Sequence, residues 1–465
     1  MRGAGTAADI ADSVAAFAAS HGMLPRRGVM LACVSGGADS MCMLDILVKL
    51  APSIGYDVDV AHFNHMLRGG ESERDMDFVA DYCEKAGLKY HAGRGDTEAE
   101  AARARAGIEE TARDMRYAYF EKLAERLGAS AAATAHTADD NAETVLFNLA
   151  RGTGARGLCG IPPVRGRIVR PMLCVTRRDV EAYLSERGIP HVEDSTNISG
   201  DYARNRLRRG VMPVLRAINP AAAANIMRAS ELSRSDDDFL RSEARRFIAD
   251  CHNGGRVPVR RLLELHPAVA ARVVRALAGV GLSREHVRAV LSLCRSDSPS
   301  GEACLPGGAS AFREYGYILF APSGTPRGFE PTELVPGTVA RPEGAGIAIS
   351  CEEGIYCDRI NKSLTSFVFD RGKICGKLSV RPREPGDTIN ILGANGTPLG
   401  TKTLKKLFIE KRIPARSRAS VPVIADETGP LAILGVGRGA RCTPRLGCEA
   451  ITVRAVAVRR EQETE

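Results

Sequence analysis

The feature that most constrains this chain is a short apolar segment, Val29 to Val34, that runs directly into two glycines. The apolar run predicts a buried strand, and helical periodicity resumes from Met41 to Leu47. Gly36 and Gly37 let the backbone bend sharply and approach a ligand closely. Backbone N–H groups at the start of a helix after such a turn converge on an anion. The segment therefore predicts a phosphate-binding loop.

The polar residues beside the glycines indicate which kind of phosphate loop this is. A loop of the Walker type would read G-x-x-x-x-G-K-[ST], and no lysine follows these glycines. The residues present are Ser35, Ala38, Asp39 and Ser40. The pattern S-G-G-x-D-S resembles the pyrophosphate loop of the N-type ATP pyrophosphatases, which split ATP between its α and β phosphates. A plain glycine turn is the alternative for the two glycines alone.

Length and composition limit the class of protein. With 465 residues the chain is too long for one typical core, so two to four domains are expected. The mean hydropathy is -0.13, and no apolar run approaches the ~20 residues that a membrane helix needs. The N-terminus has no compact apolar region like that of a secretory signal. We therefore expect a cytoplasmic protein that does not enter a membrane.

Cysteine usage and charge point to reduced thiols and permit a polyanionic partner. The 13 cysteines include no C-x-x-C pair, which argues against a disulfide framework or a zinc ribbon. A net charge of +8 is only mildly basic for this length, so it allows nucleic acid binding without demonstrating it. The sequence leaves the oligomeric state open, with a homodimer among the alternatives.

Strand and helix patterns alternate along the first part of the chain, which predicts βαβ units. The predicted strands lie at 28–34, 57–62 and 130–135, and the predicted helices at 41–50, 72–86, 97–127 and 138–149. We expect an α/β domain with a doubly wound parallel sheet over residues 1–225. In such sheets ligands bind at the carboxyl ends of the strands. Residues 226–325 have helical periodicity and predict a helical domain, and 326–465 predict a small α+β domain after a Pro- and Gly-rich entry.

A second motif, H-F-N-H-M-L-R-G-G-E-S, follows the second predicted strand. Its histidines, His62 and His65, could bind a metal, but H-x-x-H without a third ligand at fixed spacing is a weak sign of zinc. We expect instead a loop that orders over ATP or an acceptor, with Arg68 available to a phosphate. A polar helix entry, with Glu71 favoured by the helix dipole, remains the alternative.

A third motif, T-A-H-T-A-D-D-N-A-E-T, follows the third predicted strand. After a capping Thr137, a helix places Asp140 and Glu143 one turn apart on one face, with His136 behind them. Two carboxylates in a phosphate-binding crevice would repel ATP unless they face a cation, which Mg²⁺ or an amino substrate would supply. The alternative is that Asp139 and Asp140 serve only the dipole of an ordinary helix.

Two basic groups complete the candidate residues. Upstream, Arg113 and Arg116 are spaced i, i+3, and one of them could reach the α phosphate, where charge grows during adenylation. Near the C-terminus, we predict that Lys402, Lys405 and Lys406 share one helix face suited to RNA phosphates, with a solvated surface helix as the alternative.

Together the motifs resemble the bacterial tRNA(Ile)-lysidine synthase family. The resemblance rests on S-G-G-A-D-S, the second and third motifs, R-D-M-R-Y, R-G-T-G-A-R-G-L-C-G-I and E-D-S-T-N-I-S-G-D-Y-A-R-N-R-L-R. It is strong over residues 28–220 and resumes near the end with R-P-R-E-P-G-D and K-T-L-K-K-L-F-I-E-K-R-I-P. Asn141 departs from the family, which more often has glutamine there, and both are neutral amides.

The resemblance implies a two-step reaction with ATP and Mg²⁺ as cofactors. ATP would adenylate the C2 carbonyl oxygen of the wobble cytidine in an isoleucine tRNA with a CAU anticodon, and the ε-amine of free L-lysine would displace AMP. The implied ATP-binding residues are Ser35, Gly36, Gly37, Ala38, Asp39 and Ser40, with Asp39 as the metal ligand. The implied catalytic residues are Asp39, Arg116 and His136, the lysine-binding residues are Asp140 and Glu143, and the tRNA or adenylate contacts are Arg68, Arg204, Asn205, Lys402, Lys405 and Lys406. The second and third domains are expected to bind the tRNA.

Other functions remain in competition. A tRNA 2-thiolase of the same group would attack the same carbon with sulfur, and typically needs paired or catalytic cysteines; Cys159 and Cys174 lie in the first domain without a C-x-x-C pair. A glutamine-dependent amidating synthetase would need a glutaminase domain, for which the C-terminal half offers no recognisable nucleophile. A tRNA adaptor without catalysis would not need the polar residues of all three motifs.

Overall fold

The structure is a computed structural model of the chain. It describes residues 6–67, 69–192, 205–251, 255–324, 328–357, 364–393 and 397–457. Contacts divide the chain into two compact units, Met1–Phe239 and Leu240–Glu465. Each unit is described by itself.

The first unit alternates helices and strands over most of its length. Its helices are α1 (Ala7–Ser20), α2 (Ala38–Ile54), α3 (Gly70–Ala86), α4 (Thr97–Ala104), α5 (Ile108–Arg126), α6 (Ala138–Ala150), α7 (Ala155–Leu158), α8 (Arg177–Arg187) and α9 (Met212–Ile218), and α10 (Ala222–Cys251) crosses into the second unit. A 3₁₀ turn at Pro171–Cys174 and a π-helical turn at Leu207–Val211 precede α8 and α9. Its strands are β1 (Val29–Cys33), β2 (Asp57–Asn64), β3 (Lys89–Arg94), β4 (Ala131–Thr134), β5 (Val164–Arg165) and β6 (Ile168–Val169).

These strands form a sheet in the order β3-β2-β1-β4-β6-β5, parallel except for the edge strand β5. Side chains of a strand alternate between the two faces. Met30 and Ala32 accordingly belong to a cluster with α2, whereas Leu31 and Cys33 belong to another with α5. Helices therefore cover both faces of the sheet, which confirms the doubly wound α/β fold.

The strand order also explains where a ligand can enter. From β1 the chain continues to β2 and β3 on one side of the sheet, and it then crosses to β4 on the other side of β1. The direction in which strands are added therefore reverses between β1 and β4. Crevices in doubly wound sheets open at this point, beyond the carboxyl ends of the strands. The phosphate loop after β1 and the third motif after β4 both lie there.

The predicted strands and most predicted helices of the first unit are confirmed within a few residues, but the single helix over 97–127 is wrong. The structure has α4 and α5 with a break between them, where Arg105 adopts a left-handed φ of 53°. Gly107 then precedes α5 as its N-cap residue. The edge strand β3 was not predicted.

The second unit combines helices with antiparallel sheets. The helices of its first part are α11 (Val259–Glu264), α12 (Pro267–Ala278) and α13 (Arg284–Arg295). They confirm the helical middle region, and they share one hydrophobic cluster with a sheet that was not predicted. That sheet consists of β7 (Arg256–Pro258), β8 (Ser300–Cys304), β9 (Ala309–Glu314) and β10 (Tyr317–Pro322), in the order β7-β10-β9-β8.

The remainder is α+β, as expected. Its elements are β11 (Thr332–Glu333), β12 (Thr338–Ala340), β13 (Ile347–Ile355), β14 (Ser366–Asp370), β15 (Ser379–Arg381), β16 (Thr388–Leu392), β17 (Pro398–Thr403), α14 (Leu404–Glu410), β18 (Val423–Asp426), β19 (Gly429–Ile433), β20 (Gly437–Arg438) and β21 (Glu449–Ala457). Hydrophobic clusters in this part are separate from the cluster of the helical part. The division at residues 225 and 325 stays a prediction, and the first of these positions falls inside α10.

Across the described part of the chain, no helix is both long and apolar enough to cross a membrane.

Candidate active site

An open cleft of about 1130 Å³ lies in the first unit at the carboxyl ends of β1, β2 and β4. The predicted site residues that line it come from the phosphate loop, the third motif and α5: Ser35, Gly37, Ala38, Asp39, Ser40, Arg116, His136, Asp140 and Glu143. The fold thus brings together side chains that are more than 100 residues apart in sequence.

The phosphate loop is held in shape by its own hydroxyls and by the backbone of a residue distant in sequence, Val192. Ser40 Oγ donates to the carbonyl of Gly37 at 2.8 Å and accepts from the backbone N–H of Ser35 at 3.2 Å. Gly36 has a φ of +93°, which favours glycine. Its carbonyl accepts from the backbone N–H of Val192 at 2.9 Å. The loop therefore presents the start of α2 to the cleft in a defined conformation.

Asp39 is the residue of the loop that can meet a cation. Its Oδ2 accepts from Nη1 of Arg177 at 2.5 Å. Its Oδ1 is buried and has no hydrogen-bond partner among the described residues. Burial raises the pKa of Asp39 to about 6, against the opposing charge of Arg177. One carboxylate oxygen is thus engaged and the other is left for a further ligand.

The acidic face of α6 carries its own arginine. Oε1 of Glu143 accepts from Nε of Arg208 at 3.0 Å, and Oδ1 of Asp140 lies 3.8 Å from Nη2 of Arg208. Oδ2 of Asp140 closes a capping box, because it accepts from the backbone N–H of Thr137 at 2.8 Å. Burial raises the pKa of Glu143 to about 7. The sequence indicated that these two carboxylates face a cation, and in the structure Arg208 supplies that positive charge.

Asp139, next to these residues, has a structural role. Its Oδ2 accepts from the backbone N–H of Arg177 at 2.6 Å, at the start of α8, and its Oδ1 pairs with Arg216. Arg177, Arg208 and Arg216 line the cleft, and sequence reasoning missed all three. The available signal was three carboxylates within five residues of α6 with no basic residue among them.

Of the predicted phosphate contacts, Arg116 and His136 line the cleft and Arg113 does not. Arg116 lines the cleft, whereas Arg113 stacks on the ring of Tyr117, with its Cζ 5.3 Å from the ring centroid. Nδ1 of His136 lies 3.2 Å from Oγ1 of Thr134 at the end of β4, which orients the imidazole.

The second motif mainly builds the wall of the cleft. Nδ1 of His62 lies 2.9 Å from the carbonyl of Val34 and links β2 to the end of β1. Asn64 donates to the carbonyl of Ser72 at 3.2 Å and accepts from the backbone N–H of Met66 at 2.8 Å, which orders the following turn. Arg68 and Arg204 lie outside the described residues. Asn205 is half-buried and is not part of the cleft lining.

A metal site made of protein ligands alone is not present in the described part of the chain, where no three His, Cys, Asp or Glu side chains cluster to hold an ion. Mg²⁺ commonly binds one or two carboxylates together with substrate phosphates. The unpartnered Oδ1 of Asp39 beside the phosphate loop fits that kind of site.

Comparison with known proteins agrees with this site. The profile of the PP-loop domain matches residues 8–215, and that of the TilS substrate C-terminal domain matches residues 378–451. A tRNA(Ile)-lysidine synthase of Geobacillus kaustophilus is 34% identical over 436 residues, which cover 90% of this chain and 92% of the relative. The chain belongs to the tRNA(Ile)-lysidine synthase family.

Further relatives extend the match over nearly the whole chain. The tRNA(Ile)-lysidine synthase of Geobacter sulfurreducens is 33% identical over 462 residues, which cover 96% of this chain and 97% of the relative. A crystal structure of a TilS C-terminal domain aligns with a TM-score of 0.25 and 30% identity, covering 28% of this chain and 98% of that chain. Membership of an ATP-using PP-loop family confirms the resemblance that the motifs suggested.

The family's C-terminal domain contains the three predicted lysines, but they do not share a helix face. Lys402 lies in β17, and Thr403 caps α14, which begins at Leu404. Lys402 is paired with Glu410, with Nζ 2.6 Å from Oε2. Lys405 and Lys406 are exposed on α14. The prediction of one face for all three is wrong, because the cap resets the periodicity between the first lysine and the other two.

Proposed function

We propose that this chain ligates free L-lysine to C2 of the wobble cytidine of an isoleucine tRNA with a CAU anticodon, and converts ATP to AMP and pyrophosphate. The observation that carries the proposal is that one cleft contains both the PP-loop and the acidic face of Asp140 and Glu143. A phosphate-binding loop serves the nucleotide, and an acidic face serves a cationic amino acid.

In the first step, the C2 carbonyl oxygen attacks the α phosphate and pyrophosphate leaves. The N–H groups at the start of α2 would bind the phosphates, and Arg116 would stabilise charge on the α phosphate. The pKa of the Arg116 guanidinium is lowered by burial, but an arginine remains charged under these conditions. His136 would contribute a further phosphate contact from the end of β4.

Asp39 would hold Mg²⁺ together with the phosphates. When bound, the ion supplies charge neutralisation on the triphosphate. Arg177 already pairs with the other oxygen of Asp39 and so fixes the orientation of the carboxylate.

In the second step, the lysine ε-amine loses a proton and forms a C–N bond at C2, while the bond from C2 to the oxygen of AMP breaks. Asp140 and Glu143 would recognise the cationic substrate. Arg208 contacts both carboxylates, so lysine and Arg208 would compete for them and Arg208 would have to shift.

Thiolation at the same carbon is less well supported by the site. Among the cysteines, Cys33 lines the cleft, and burial raises the pKa of its thiol, which disfavours a reactive thiolate. Cys159 and Cys174 are not part of the cleft lining.

The test is incorporation of labelled lysine. The protein is incubated with ATP, radiolabelled lysine and an isoleucine tRNA transcript with a CAU anticodon, and acid-precipitable label is counted. Label should require ATP and should be absent with labelled arginine or with a methionine tRNA that has the same anticodon. Binding of tRNA without any incorporation would support the adaptor alternative and overturn the proposal.

A further inference from the structure

Beside the cleft, three arginines surround one tyrosine. Tyr117 of α5 is 6% exposed and lines the cleft. The guanidinium carbons of Arg113, from α5, and Arg165, from β5, lie 5.3 and 5.2 Å from the centroid of its ring. The Tyr117 hydroxyl accepts from Nη2 of Arg170 at 3.4 Å. We call these four residues the Tyr117 cluster.

Among the described residues, no acid forms an ion pair with the arginines of the Tyr117 cluster. In the described part of the chain, neither Arg113 nor Arg165 has a carboxylate within ion-pair distance, in contrast to the arginines that face α6. Arg170 is 1% exposed, and its Nε has no hydrogen-bond partner among the described residues. Positive charges that gather around one ring without a described acid favour an anion that binds beside them.

The position of the cluster favours RNA over ATP as the source of that anion. Tyr117 reaches the cleft, but Arg113 and Arg165 lie outside its lining. Arg113 is half-buried and Arg165 is exposed, so both guanidinium groups can meet a ligand from solvent without lying along the phosphate loop. Guanidinium groups that are already stacked on an aromatic ring lose little freedom when they bind a phosphate.

We propose that Arg113 and Arg165, stacked on Tyr117 and backed by Arg170, bind the phosphodiester backbone of RNA next to the nucleotide that enters the cleft. The inference rests on the proposed function, because it takes a tRNA as the substrate. It adds a binding site for the RNA backbone to a cleft otherwise assigned to ATP and lysine.

The experiment measures tRNA affinity over a series of salt concentrations for Arg113→Gln/Arg165→Gln. Affinity should fall about tenfold, and the slope of log K against log salt should become shallower by about one to two, because fewer counterions are released. Affinity for an ATP analogue should stay unchanged. Arg113→Lys/Arg165→Lys retains the charges and should keep the wild-type slope.

Lys122→Gln/Arg126→Gln is the matched control, because it removes two exposed positive charges from the far end of α5. An unchanged tRNA affinity and slope in the Arg113/Arg165 variant, with a lowered melting temperature, would overturn the inference and leave the cluster a stabilising role. Loss of ATP-analogue binding alone would assign the cluster to the nucleotide and also overturn it. If the wild-type protein does not bind tRNA at all, the proposed function fails first.

Discussion

Two groups of arginines, one that lines the cleft and one that surrounds Tyr117 outside the lining, differ in what they face. Arg177, Arg208 and Arg216 each contact a carboxylate of α2 or α6. Arg113 and Arg165 contact only the ring of Tyr117 among the interactions of the described residues. A buried carboxylate is costly unless it is paired, so the first group keeps acids in place until a ligand arrives. Within the described part of the chain the second group has no such partner, and it is available to an anion.

This difference separates the expected ligands. Lysine can reach Asp140 and Glu143 only by rearranging their ion pairs with Arg208, whereas Mg²⁺ can bind the oxygen of Asp39 that Arg177 leaves unpaired. Arg113 and Arg165 gain a negatively charged partner when a phosphate binds. Substituting an acid that is paired with an arginine should therefore affect the binding of lysine or Mg²⁺. Substituting Arg113 or Arg165, which have no described acid as a partner, should affect RNA binding.

The largest expected effect is at Asp39. Asp39→Asn removes a negative charge and keeps the size of the side chain, so it should slow pyrophosphate release about a hundredfold or more, since metal neutralisation is worth several kcal/mol. Pyrophosphate release is measured with tRNA and ATP over a Mg²⁺ titration. The melting temperature serves as the control for folding. Release at the wild-type rate would show that Arg177 is the only cation that Asp39 needs.

A smaller effect is expected at Glu143. Glu143→Gln should raise KM for lysine by about tenfold to a hundredfold, because hydrogen bonds to charged groups contribute about 1.5–3 kcal/mol. Formation of adenylated tRNA in the absence of lysine should change little. Glu125→Gln, an exposed acid on α5, is the control. If adenylation is lost while KM for lysine is kept, the carboxylate serves the metal and the two roles must be exchanged.

The phosphate loop and the acidic face of α6 could be predicted from sequence, but the arginines that pair with their acids could not. The strand, the glycines and Asp39 are consecutive, so spacing alone indicated a loop that binds phosphate. Thr137 likewise marked the start of α6, and the spacing of three residues then predicted that Asp140 and Glu143 share one helix face. Arg177 reaches Asp39, and Arg208 reaches Asp140 and Glu143, only after the intervening chain has folded. No local sequence period relates the positions of these arginines to the acids.

Two errors of the sequence analysis have the same origin in capping. A helix pattern continues through 97–127, but Arg105 in a left-handed conformation ends α4 and Gly107 begins a new helix. Thr403 likewise begins α14 after Lys402. In both cases the periodicity was read across a boundary that a single residue sets. The sheet of β7 to β10 was missed because β9 and β10 do not alternate strictly between buried and exposed residues.

The next prediction concerns pH. Burial raises the pKa of Glu143 to about 7 in the presence of Arg208, Asp140 and Asp139. Below pH 7 the side chain is protonated and loses its attraction for a cation, so KM for lysine should rise about tenfold between pH 8 and pH 6. In Glu143→Gln this dependence should be flatter. Equal pH profiles in the two proteins would contradict the role of Glu143 in lysine binding.

The same shift predicts a change in stability with a defined sign. A carboxyl whose pKa is raised on folding favours the folded state at low pH, and this contribution is lost as the pH rises through about 7. The wild type should therefore lose up to about 3 kcal/mol relative to Glu143→Gln between pH 5 and pH 8. Urea unfolding at the two pH values measures it. Parallel behaviour of both proteins would mean that Arg208 fully compensates the burial.

The smallest effect is expected in the C-terminal domain, where one of three lysines is paired with an acid. Lys402 is paired with Glu410, whereas Lys405 and Lys406 are exposed on α14. Lys405→Gln/Lys406→Gln should weaken tRNA binding a few fold, with a salt dependence shallower by about one to two, because two positive charges no longer displace counterions from the RNA. Lys402→Gln should change affinity less, since its charge is already neutralised by Glu410. Equal losses in Lys402→Gln and in the double variant would show that pairing with an acid does not decide which basic residues bind RNA. Unchanged affinity and salt slope in the double variant would show that these two lysines face solvent in the complex.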